Sequence, residues 1–378
     1  MNLWDIQGKR WHPDLIALAA GKEGSQDLLS KLGDVPLDGG KPFGPISKYF
    51  VSRYGFPADC QIVPFTGDNP ATILALPLRA SDAIVSLGTS TTFLMATDQY
   101  KPDPAYHFLP HPTEPGLYMF MLCYKNGGLA REHIRDAVNA STSTTDKSWE
   151  HFNETATHSF PLNKNPSDDS EPAKLGLFFP RAEIVPNVRA GTWRYLLDKK
   201  TGKLTEATNG NDEKWGGAST DVRAILESQF LSCRLRSQKL VQKPAGGDKP
   251  AQPRRVYVVG GSSRNAAIAR VCGDVLGGAE GVFRLDIGAN ACGLGAAYKA
   301  AWGVSRSQGE GYEDYLSKRW KEEGFVNKID DGYRKGTFEL YGEVLPAFEE
   351  MEKRVLESVA EGEKEKLEKR DQVGEEVR

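Results

Sequence analysis

The chain has 378 residues, more than a usual single domain, so its length predicts either two domains or one large domain with a fragment of another. Its formal net charge is −3, and its lysines and arginines are scattered, which argues against nucleic acid as a partner and favours a small neutral or anionic metabolite. No apolar run approaches the roughly 20 residues that span a membrane, so no membrane partner is expected. The five cysteines are odd in number and far apart, which predicts reduced thiols and a cytoplasmic protein.

The first 60 residues are predicted to form one or two helices joined by turns. Pro13 suits the first turn of a helix that contains the apolar run 15–18, and a break rich in Gly and Pro covers residues 33–45. More regular elements follow. Gln61–Phe65 is predicted to be a short strand, and Asn69–Leu76 a helix of small residues.

A β-hairpin is predicted next along the chain. Ala83–Leu87 and Thr91–Ala96 have the pattern of strands, and Gly88–Ser90 joins them through a turn whose small residues let a ligand approach the backbone. A further apolar run, Tyr118–Cys123, leads through Asn126–Gly128 into a helix whose apolar residues recur at helical spacing.

The middle of the chain is predicted to be largely irregular. Residues 143–157 and 163–173 are polar, and we expect surface loops there around a short helix that contains Trp149 and Phe152. Asp221 is expected to cap the longer helix that follows, in which apolar side chains fall on one face.

A second ordered region begins with the strand Arg255–Val259, the turn Gly260–Ser263 and a helix from about Asn265 to Leu276. A further strand, Val282–Leu285, precedes the small-residue segment Gly288–Ala297, which enters another helix. This alternation of strands and helices predicts an α/β fold. The charged tail is predicted to be helical where apolar residues recur and frayed beyond them; those residues are Leu345, Phe348, Met351 and Val355.

Asp68 is the first candidate for a chemical role. It follows a short apolar strand and Gly67, so we expect its carboxylate to project from a strand end into a cleft. Phosphoryl transfer to a hydroxyl group needs an aspartate that orients the nucleophile and accepts its proton, together with donors and Mg²⁺ that neutralise the phosphates. Turn preferences alone instead favour an Asx turn over Gly67-Asp68-Asn69.

Two turns of small residues are candidates for nucleotide binding. Gly88–Ser90 supplies amides and hydroxyls that suit phosphate oxygens, although a tight hairpin needs no ligand. Gly260–Ser262 and Asn265 lie at a strand-to-helix junction, which attracts polar ligands, but they match neither the P-loop nor the dinucleotide-binding fingerprint. Trp149 suits either stacking on an adenine or packing on the core. The six histidines show no metal-ligand spacing, so no metal site is predicted.

Five segments, taken together and in order, resemble the xylulose kinases, most closely those of fungi: Met1–Ile6, Phe65–Ala71, Val85–Ser90, Leu122–Glu132 and Val259–Asn265. The resemblance extends from the first residue to about Gly303. Xylulose kinases are FGGY carbohydrate kinases, so the resemblance implies an α/β fold of two ribonuclease H-like domains of the actin and hexokinase ATPase type. It also implies that a sugar binds deep in the cleft and ATP mainly on the second domain.

The resemblance implies a role for each candidate residue. Asp68 would be the base for the 5-hydroxyl of the sugar, and Asn69 a sugar contact. The remaining residues would bind ATP, the first turn at the phosphates and the second at the adenosine: Gly88, Thr89, Ser90, Trp149, Gly260, Gly261, Ser262 and Asn265. The implied reaction is the Mg²⁺- and ATP-dependent conversion of D-xylulose to D-xylulose 5-phosphate, which feeds the pentose phosphate pathway.

The resemblance also divides the chain. Residues 1–66 would be a remnant of the N-terminal domain, residues 67–305 the C-terminal nucleotide-binding domain, and residues 306–378 a charged, mostly helical extension. Relatives carry a whole domain ahead of Met1–Ile6, with an Asp-x-Gly-Thr phosphate loop and the remaining sugar contacts. We therefore expect a truncated gene model, and little or no turnover by this chain alone.

Two alternatives stay open. Because the choice of sugar depends partly on the other domain, the chain is alternatively part of a kinase for another sugar or polyol, such as ribulose, glycerol or gluconate. The second alternative is a different class of protein, a non-catalytic nucleotide-binding module that uses the same cleft to regulate a partner. Retention of both Asp68-Asn69 and the Gly88–Ser90 turn favours the enzyme.

Overall fold

The computed structural model describes residues 3–142, 147–208, 212–244, 247–286 and 290–376, with side chains up to residue 362. The chain divides into two compact units that share it in alternating segments. The first unit comprises Met1–Arg79, Phe108–Met119 and Asn290–Trp320. The second comprises Ala80–His107, Phe120–Ala289 and Lys321–Arg378.

The elements are numbered in chain order. The strands within the described residues are β1 (Trp4–Asp5), β2 (Arg10–Trp11), β3 (Gly44–Pro45), β4 (Gln61–Ile62), β5 (Ala83–Leu87), β6 (Thr91–Thr97), β7 (His107–Pro110), β8 (Tyr118–Tyr124), β9 (Ala173–Phe179), β10 (Gly191–Leu197), β11 (Leu204–Glu206), β12 (Arg255–Val259), β13 (Gly281–Leu285) and β14 (Val326–Asp330). The α-helices there are α1 (Pro13–Leu32), α2 (Lys48–Tyr54), α3 (Asp68–Ile73), α4 (Gly128–Ser141), α5 (Glu150–His158), α6 (Ala218–Ser237), α7 (Ala266–Leu276), α8 (Ala291–Ser305), α9 (Tyr312–Ser317) and α10 (Thr337–Glu376). None of these helices is long and apolar enough to cross a membrane.

The first unit consists mainly of short elements. Pro13 occupies the first turn of α1, as predicted, and the helix is broken at Gly21, where φ is 71°. The predicted strand Gln61–Phe65 is shorter than expected, because β4 ends at Ile62 after pairing with β3. Helices α3 and α8 pack closely, since a methyl group on Gly295 would lie only 1.8 Å from the carbonyl oxygen of Ala71.

The second unit is organised around a mixed sheet whose strand order within the unit is β14-β13-β12-β5-β6-β8. Strand β12 is parallel to both β5 and β13, whereas β5 and β6 form the predicted antiparallel hairpin. The central strands are almost wholly apolar, as expected for strands that are covered on both faces. Because β5 and β12 are parallel, their carboxyl ends at Leu87 and Val259 lie at the same edge of the sheet.

Helix α6 lies at the centre of the helical layers. It is buried along most of its length and packs against α4, α7 and β9. The prediction that Asp221 caps this helix is wrong, because α6 begins at Ala218. Asp221 instead lies in the first turn, where its buried carboxylate accepts hydrogen bonds from Arg194 (2.7 and 2.8 Å) and from the indole of Trp215 (2.8 Å).

Predictions for the remaining segments have mixed outcomes. Residues 143–146 of the predicted loop, and Gly288 and Ala289 of the small-residue segment, lie outside the described residues. Trp149 directly precedes α5 rather than lying within it. The backbone of α10 is helical as far as Glu376, beyond the apolar repeat where the sequence predicted fraying.

Candidate functional site

A cavity of about 580 Å³ opens at the carboxyl ends of β5 and β12 in the second unit. This volume is in the range of small-molecule sites in proteins, roughly 300–1,000 Å³. The cavity is lined by Leu87, Gly88, Thr89, Gly128, Glu132, Trp149, Asn153, Gly261, Ser262, Arg264, Asn265 and Ile268. Crevices at the carboxyl ends of parallel strands are the usual ligand sites of α/β sheets.

The structure brings most of the proposed ATP contacts together in this one cavity. Six of them line it: Gly88, Thr89, Trp149, Gly261, Ser262 and Asn265. Ser90 and Gly260 are neighbours of lining residues in the chain but do not line the cavity themselves. Asp68 and Asn69 belong to the first unit.

The turn Gly88–Ser90, called the hairpin turn below, lies directly against the start of α4. The amides of Gly128 and Leu129 donate to the carbonyl oxygens of Gly88 (2.9 Å) and Thr89 (3.2 Å). A methyl group on Gly128 would lie 2.6 Å from the Gly88 oxygen, so only glycine permits this approach. The hairpin turn and the first turn of α4 therefore form one wall of the cavity.

A buried carboxylate holds the segment that leads into α4. Glu183 is 3% exposed and accepts hydrogen bonds from the amides of Lys125 (2.8 Å) and Asn126 (2.9 Å). The side chain of Asn126 donates to the same carboxylate (3.0 Å) and to the carbonyl oxygen of Arg181 (2.8 Å). These four hydrogen bonds hold the segment just before the cavity wall. Sequence reasoning missed Glu183, which lies more than 50 residues away along the chain.

The turn Gly260–Ser263, called the glycine turn below, forms a second wall of the cavity. Gly260 has φ of 89°, and a methyl group there would lie 2.9 Å from the carbonyl oxygen of Leu87, so the turn requires glycine for two reasons. Ser263 closes the turn with hydrogen bonds from its amide (3.1 Å) and its hydroxyl (2.7 Å) to the Gly260 carbonyl oxygen.

Asn265 both caps α7 and contributes to the cavity. Its Oδ1 accepts from the amide of Ile268 (3.2 Å), which is the bond of a helix N-cap. Its Nδ2 then donates to Oδ1 of Asn153 (2.6 Å). Because the oxygen of Asn153 accepts that bond, its amide nitrogen remains as a donor toward the cavity.

Trp149 is held in a fixed position at the cavity. The guanidinium of Arg135 lies over the indole, 4.7 Å from its centroid, and Phe152 meets it edge-on at 5.1 Å. Arg135 is in turn bound to Asp136 (2.7 Å). The indole is half-buried and lines the cavity, so its packing is established, while stacking on an adenine stays a prediction.

Sequence reasoning did not identify three polar lining residues, Glu132, Asn153 and Arg264. Asn153 had a detectable signal, because it lies one helical turn after Trp149 and therefore on the same face of α5. Glu132 and Arg264 are exposed charged residues, which the sequence alone does not separate from an ordinary solvated surface.

In the first unit, Asp68 begins α3 and is exposed. Its Oδ1 accepts from the backbone (2.7 Å) and side-chain (3.2 Å) amides of Asn69, while no hydrogen bond of Oδ2 occurs among the described residues. The carboxylate therefore makes local turn contacts and keeps one oxygen free. The segment before it is held by buried Lys299, whose Nζ donates to the carbonyl oxygens of Pro64 (2.5 Å) and Gly39.

The part of the chain that the structure describes contains no group of three or more His, Cys, Asp or Glu residues that could hold a metal ion. Fold and site together define an α/β protein with a cavity at the carboxyl edge of its sheet, where α/β proteins usually bind their ligands. Residues 83–304 match the family model described as "FGGY family of carbohydrate kinases, C-terminal domain". The chain belongs to this family, and its fold is of the actin and hexokinase ATPase type.

Curated relatives are fungal proteins of greater length. "Probable D-xylulose kinase A" of Aspergillus clavatus is 58% identical over 361 residues, which cover 95% of this chain and 62% of the relative. "D-xylulose kinase A" of Aspergillus niger is 58% identical over 357 residues, covering 94% and 61%. The chain thus spans about three fifths of the length of these relatives.

Among solved structures, the ligand-bound xylulose kinase from Lactobacillus acidophilus superposes with a TM-score of 0.66 at 14% sequence identity, covering 95% of this chain and 63% of that one. At this identity the likeness establishes the fold.

Proposed function

We propose that this chain is the nucleotide-binding part of an ATP-dependent kinase that converts D-xylulose to D-xylulose 5-phosphate. One observation supports the proposal above all others. Six residues that the sequence nominated for ATP line a single 580 Å³ cavity, in a chain that is 58% identical to fungal D-xylulose kinases. In this proposal, residues 67–305 form the C-terminal nucleotide-binding domain, preceded by a remnant of the N-terminal domain (1–66) and followed by an extension (306–378). The widely separated free cysteines support a cytoplasmic location.

ATP fits the chemistry of the cavity. The hairpin turn, with Gly88, Thr89 and Ser90, offers backbone and hydroxyl groups to the phosphates. The glycine turn, with Gly260, Gly261 and Ser262, together with Asn265 and Trp149, would surround the adenosine. The close backbone approaches at Gly128 and Gly260 keep both walls free of side chains that would obstruct a flat ring or a phosphate group.

The reaction requires a base, and Asp68 is the residue that we propose for it. As the 5-hydroxyl oxygen of the sugar bonds to the γ-phosphorus of ATP, the bond to the β–γ bridging oxygen breaks and ADP leaves. The hydroxyl proton passes to Asp68, whose Oδ2 makes no hydrogen bond among the described residues. Asn69 would contact the sugar. Because Asn69 already holds Oδ1 through two hydrogen bonds, it also orients the base.

Mg²⁺ is the second expected cofactor, and when bound it supplies positive charge that offsets the charge of the phosphates. The described residues contain no cage of three or more ligating side chains. This agrees with a magnesium ion that is bound mainly by phosphate oxygens and water, as in many nucleotide sites.

Two measurements test the proposal. Calorimetric titration of the 378-residue chain with ATP should show binding that Asp68→Asn leaves unchanged. In a chain extended to the length of the relatives, Asp68→Asn should lower the rate of D-xylulose phosphorylation by about 10²–10⁴-fold, the usual contribution of a general base.

The outcomes separate the alternatives. Faster phosphorylation of ribulose, glycerol or gluconate than of D-xylulose would assign another sugar. ATP binding with no phosphorylation of any sugar by the extended chain would favour a regulatory nucleotide-binding module. Absence of ATP binding would contradict the proposal as a whole.

A further inference from the structure

Arg131 is a fully buried cation beside the cavity. It lies in the first turns of α4, and its side chain is 0% exposed. Nη1 donates to Oε1 of Gln229 (2.7 Å), Nη2 donates to the hydroxyl oxygen of Ser262 (3.3 Å), and Nε has no hydrogen-bond partner within the described part of the chain. Among the described residues, no carboxylate oxygen forms an ion pair with Arg131.

Two other arginines of the same unit have carboxylate partners. Arg223, which is also buried, is paired with carboxylates at 2.8 and 3.1 Å, and Arg236, which is partly buried, with a carboxylate at 2.8 Å. Burying a cation without an ion-pair partner is unfavourable, and burial lowers the pKa of Arg131 to about 10, although the exposed carboxylate of Glu132 acts in the opposite direction. The side chain therefore still carries its charge at neutral pH. An anion bound nearby would supply the missing compensation.

The hydrogen-bond directions show where that anion would bind. Because Arg131 has only donors, the hydroxyl oxygen of Ser262 accepts from it, and the Ser262 hydrogen is left to be donated elsewhere. Ser262 lines the cavity, so its hydroxyl can be donated to a ligand there. The orientation of the Gln229 side-chain amide follows in the same way, because its Oε1 accepts from Arg131 and its Nε2 donates to the carbonyl oxygens of Asn126 (2.8 Å) and Gly127 (3.0 Å). Arg131 thus supports both walls of the cavity.

We propose that Arg131 is a positioning residue for the nucleotide phosphates, which compensate its buried charge and accept a hydrogen bond from Ser262. This inference rests on the ATP site proposed above and makes it more specific. Ser262, which the resemblance places with the adenosine, is assigned to the phosphate that adjoins the nucleoside. The ligand class that follows is a nucleotide rather than a nucleoside.

Calorimetric titration of the 378-residue chain with ATP and with adenosine tests the inference. Arg131→Met should weaken ATP binding about 10-fold or more, the usual effect of losing a charge-assisted hydrogen bond, and adenosine binding less than about 3-fold. Arg131→Lys, which keeps the charge, should recover part of the loss. Ser262→Ala should weaken ATP binding selectively, but add little when combined with Arg131→Met.

Arg135→Met is the matched control. Arg135 is one turn further along α4 and is also buried, but Asp136 already neutralises it and it contacts the Trp149 indole. Its loss should change ATP and adenosine binding in the same proportion. The thermal midpoint of every variant is measured, and Arg131→Lys carries the test if Arg131→Met fails to fold.

Two results would overturn the inference in distinguishable ways. Equal losses of ATP and adenosine binding in the Arg131 variants would show that Arg131 has only a structural role, and would not contradict the proposed ATP site. Failure of the unsubstituted chain to bind ATP would overturn the proposed function, and the inference with it.

Discussion

Arg223 joins four helices of the second unit, and its removal should be among the most damaging single changes to stability. From α6 its guanidinium donates to Glu227 on the same helix (2.8 Å), Asp274 on α7 (3.1 Å), the Tyr341 hydroxyl on α10 (2.8 Å) and the carbonyl oxygen of Ala156 on α5 (3.2 Å). Substitution of Arg223 by Met keeps much of the side-chain volume but removes every one of these bonds.

The loss in free energy of unfolding depends on which partners of Arg223 remain buried without compensation. Asp274 retains an ion pair with Arg334 (3.0 Å), so its loss is partly compensated. Among the described residues, Glu227 has no second cation. Its carboxylate is 2% exposed, Oε2 has no partner within that part of the chain, and Oε1 keeps only the Tyr341 hydroxyl and a backbone amide. Removing one member of a buried ion pair costs about 3–5 kcal/mol, and we expect a loss in that range.

Urea-induced unfolding of the 378-residue chain, followed by circular dichroism, measures the effect. Lys353→Met is the control, because its pair with Glu357 is 3.9 Å long and exposed on both sides, and such pairs contribute about 0.3–0.5 kcal/mol. The double substitution Arg223→Met/Glu227→Leu should recover much of the stability. A loss below about 1 kcal/mol for Arg223→Met, or no recovery in the double variant, would refute the reasoning.

Three further predictions concern pH and the cavity. Burial raises the pKa of Glu227, whereas Arg223 lowers it, so the pKa should rise further in Arg223→Met. The folded variant then keeps a proton on Glu227 at pH values where the unfolded chain has released it. Its loss of stability should therefore shrink as pH falls from about 8 to about 5 in the same urea titrations. Gly128→Ala places a methyl group 2.6 Å from a hairpin-turn oxygen and should weaken ATP binding at least about 10-fold by calorimetry, whereas Gly293→Ala, with open space around it, should change affinity less than about 2-fold. Asn153→Asp replaces the amide donor with an acceptor, and Asn265 still donates to the new carboxylate. Competitive titration should therefore show the ratio of ATP affinity to GTP affinity falling about 10-fold. An unchanged ratio would contradict the assigned direction of the hydrogen bond.

Local patterns were enough to predict the elements that surround the cavity. The strand-like apolar runs Ala83–Leu87 and Thr91–Ala96 and the small residues at Gly88–Ser90 predicted the hairpin of β5 and β6, which the structure confirms. The start of α7 could also be predicted from the sequence, because Asn265 has the side chain and position of a helix cap. In each case the interactions that decide the structure join residues that are close together in the chain.

Long-range contacts could not be predicted from local patterns. Asp221 is a residue type common at helix caps, but its partner Arg194 is 27 residues away, and local preferences do not predict contacts at that separation. Arg131 is followed by Glu132 and His133, so it resembles part of a solvated helix face, and only packing against Gln229 and Ser262 shows that it is buried. Burial of charge is a property of the assembled layers rather than of the sequence window.

The alternation of the chain between its two units limits how the protein can be divided. The chain passes from one unit to the other after residues 79, 107, 119, 289 and 320. A fragment cut to the family match, 83–304, would carry α8 without α3, and α6 without the Tyr341 of α10 that shares its buried ion pairs. A single cut in the chain therefore cannot release both units complete, and dissection of this protein into separately folding pieces should require rejoining segments that are distant in the sequence.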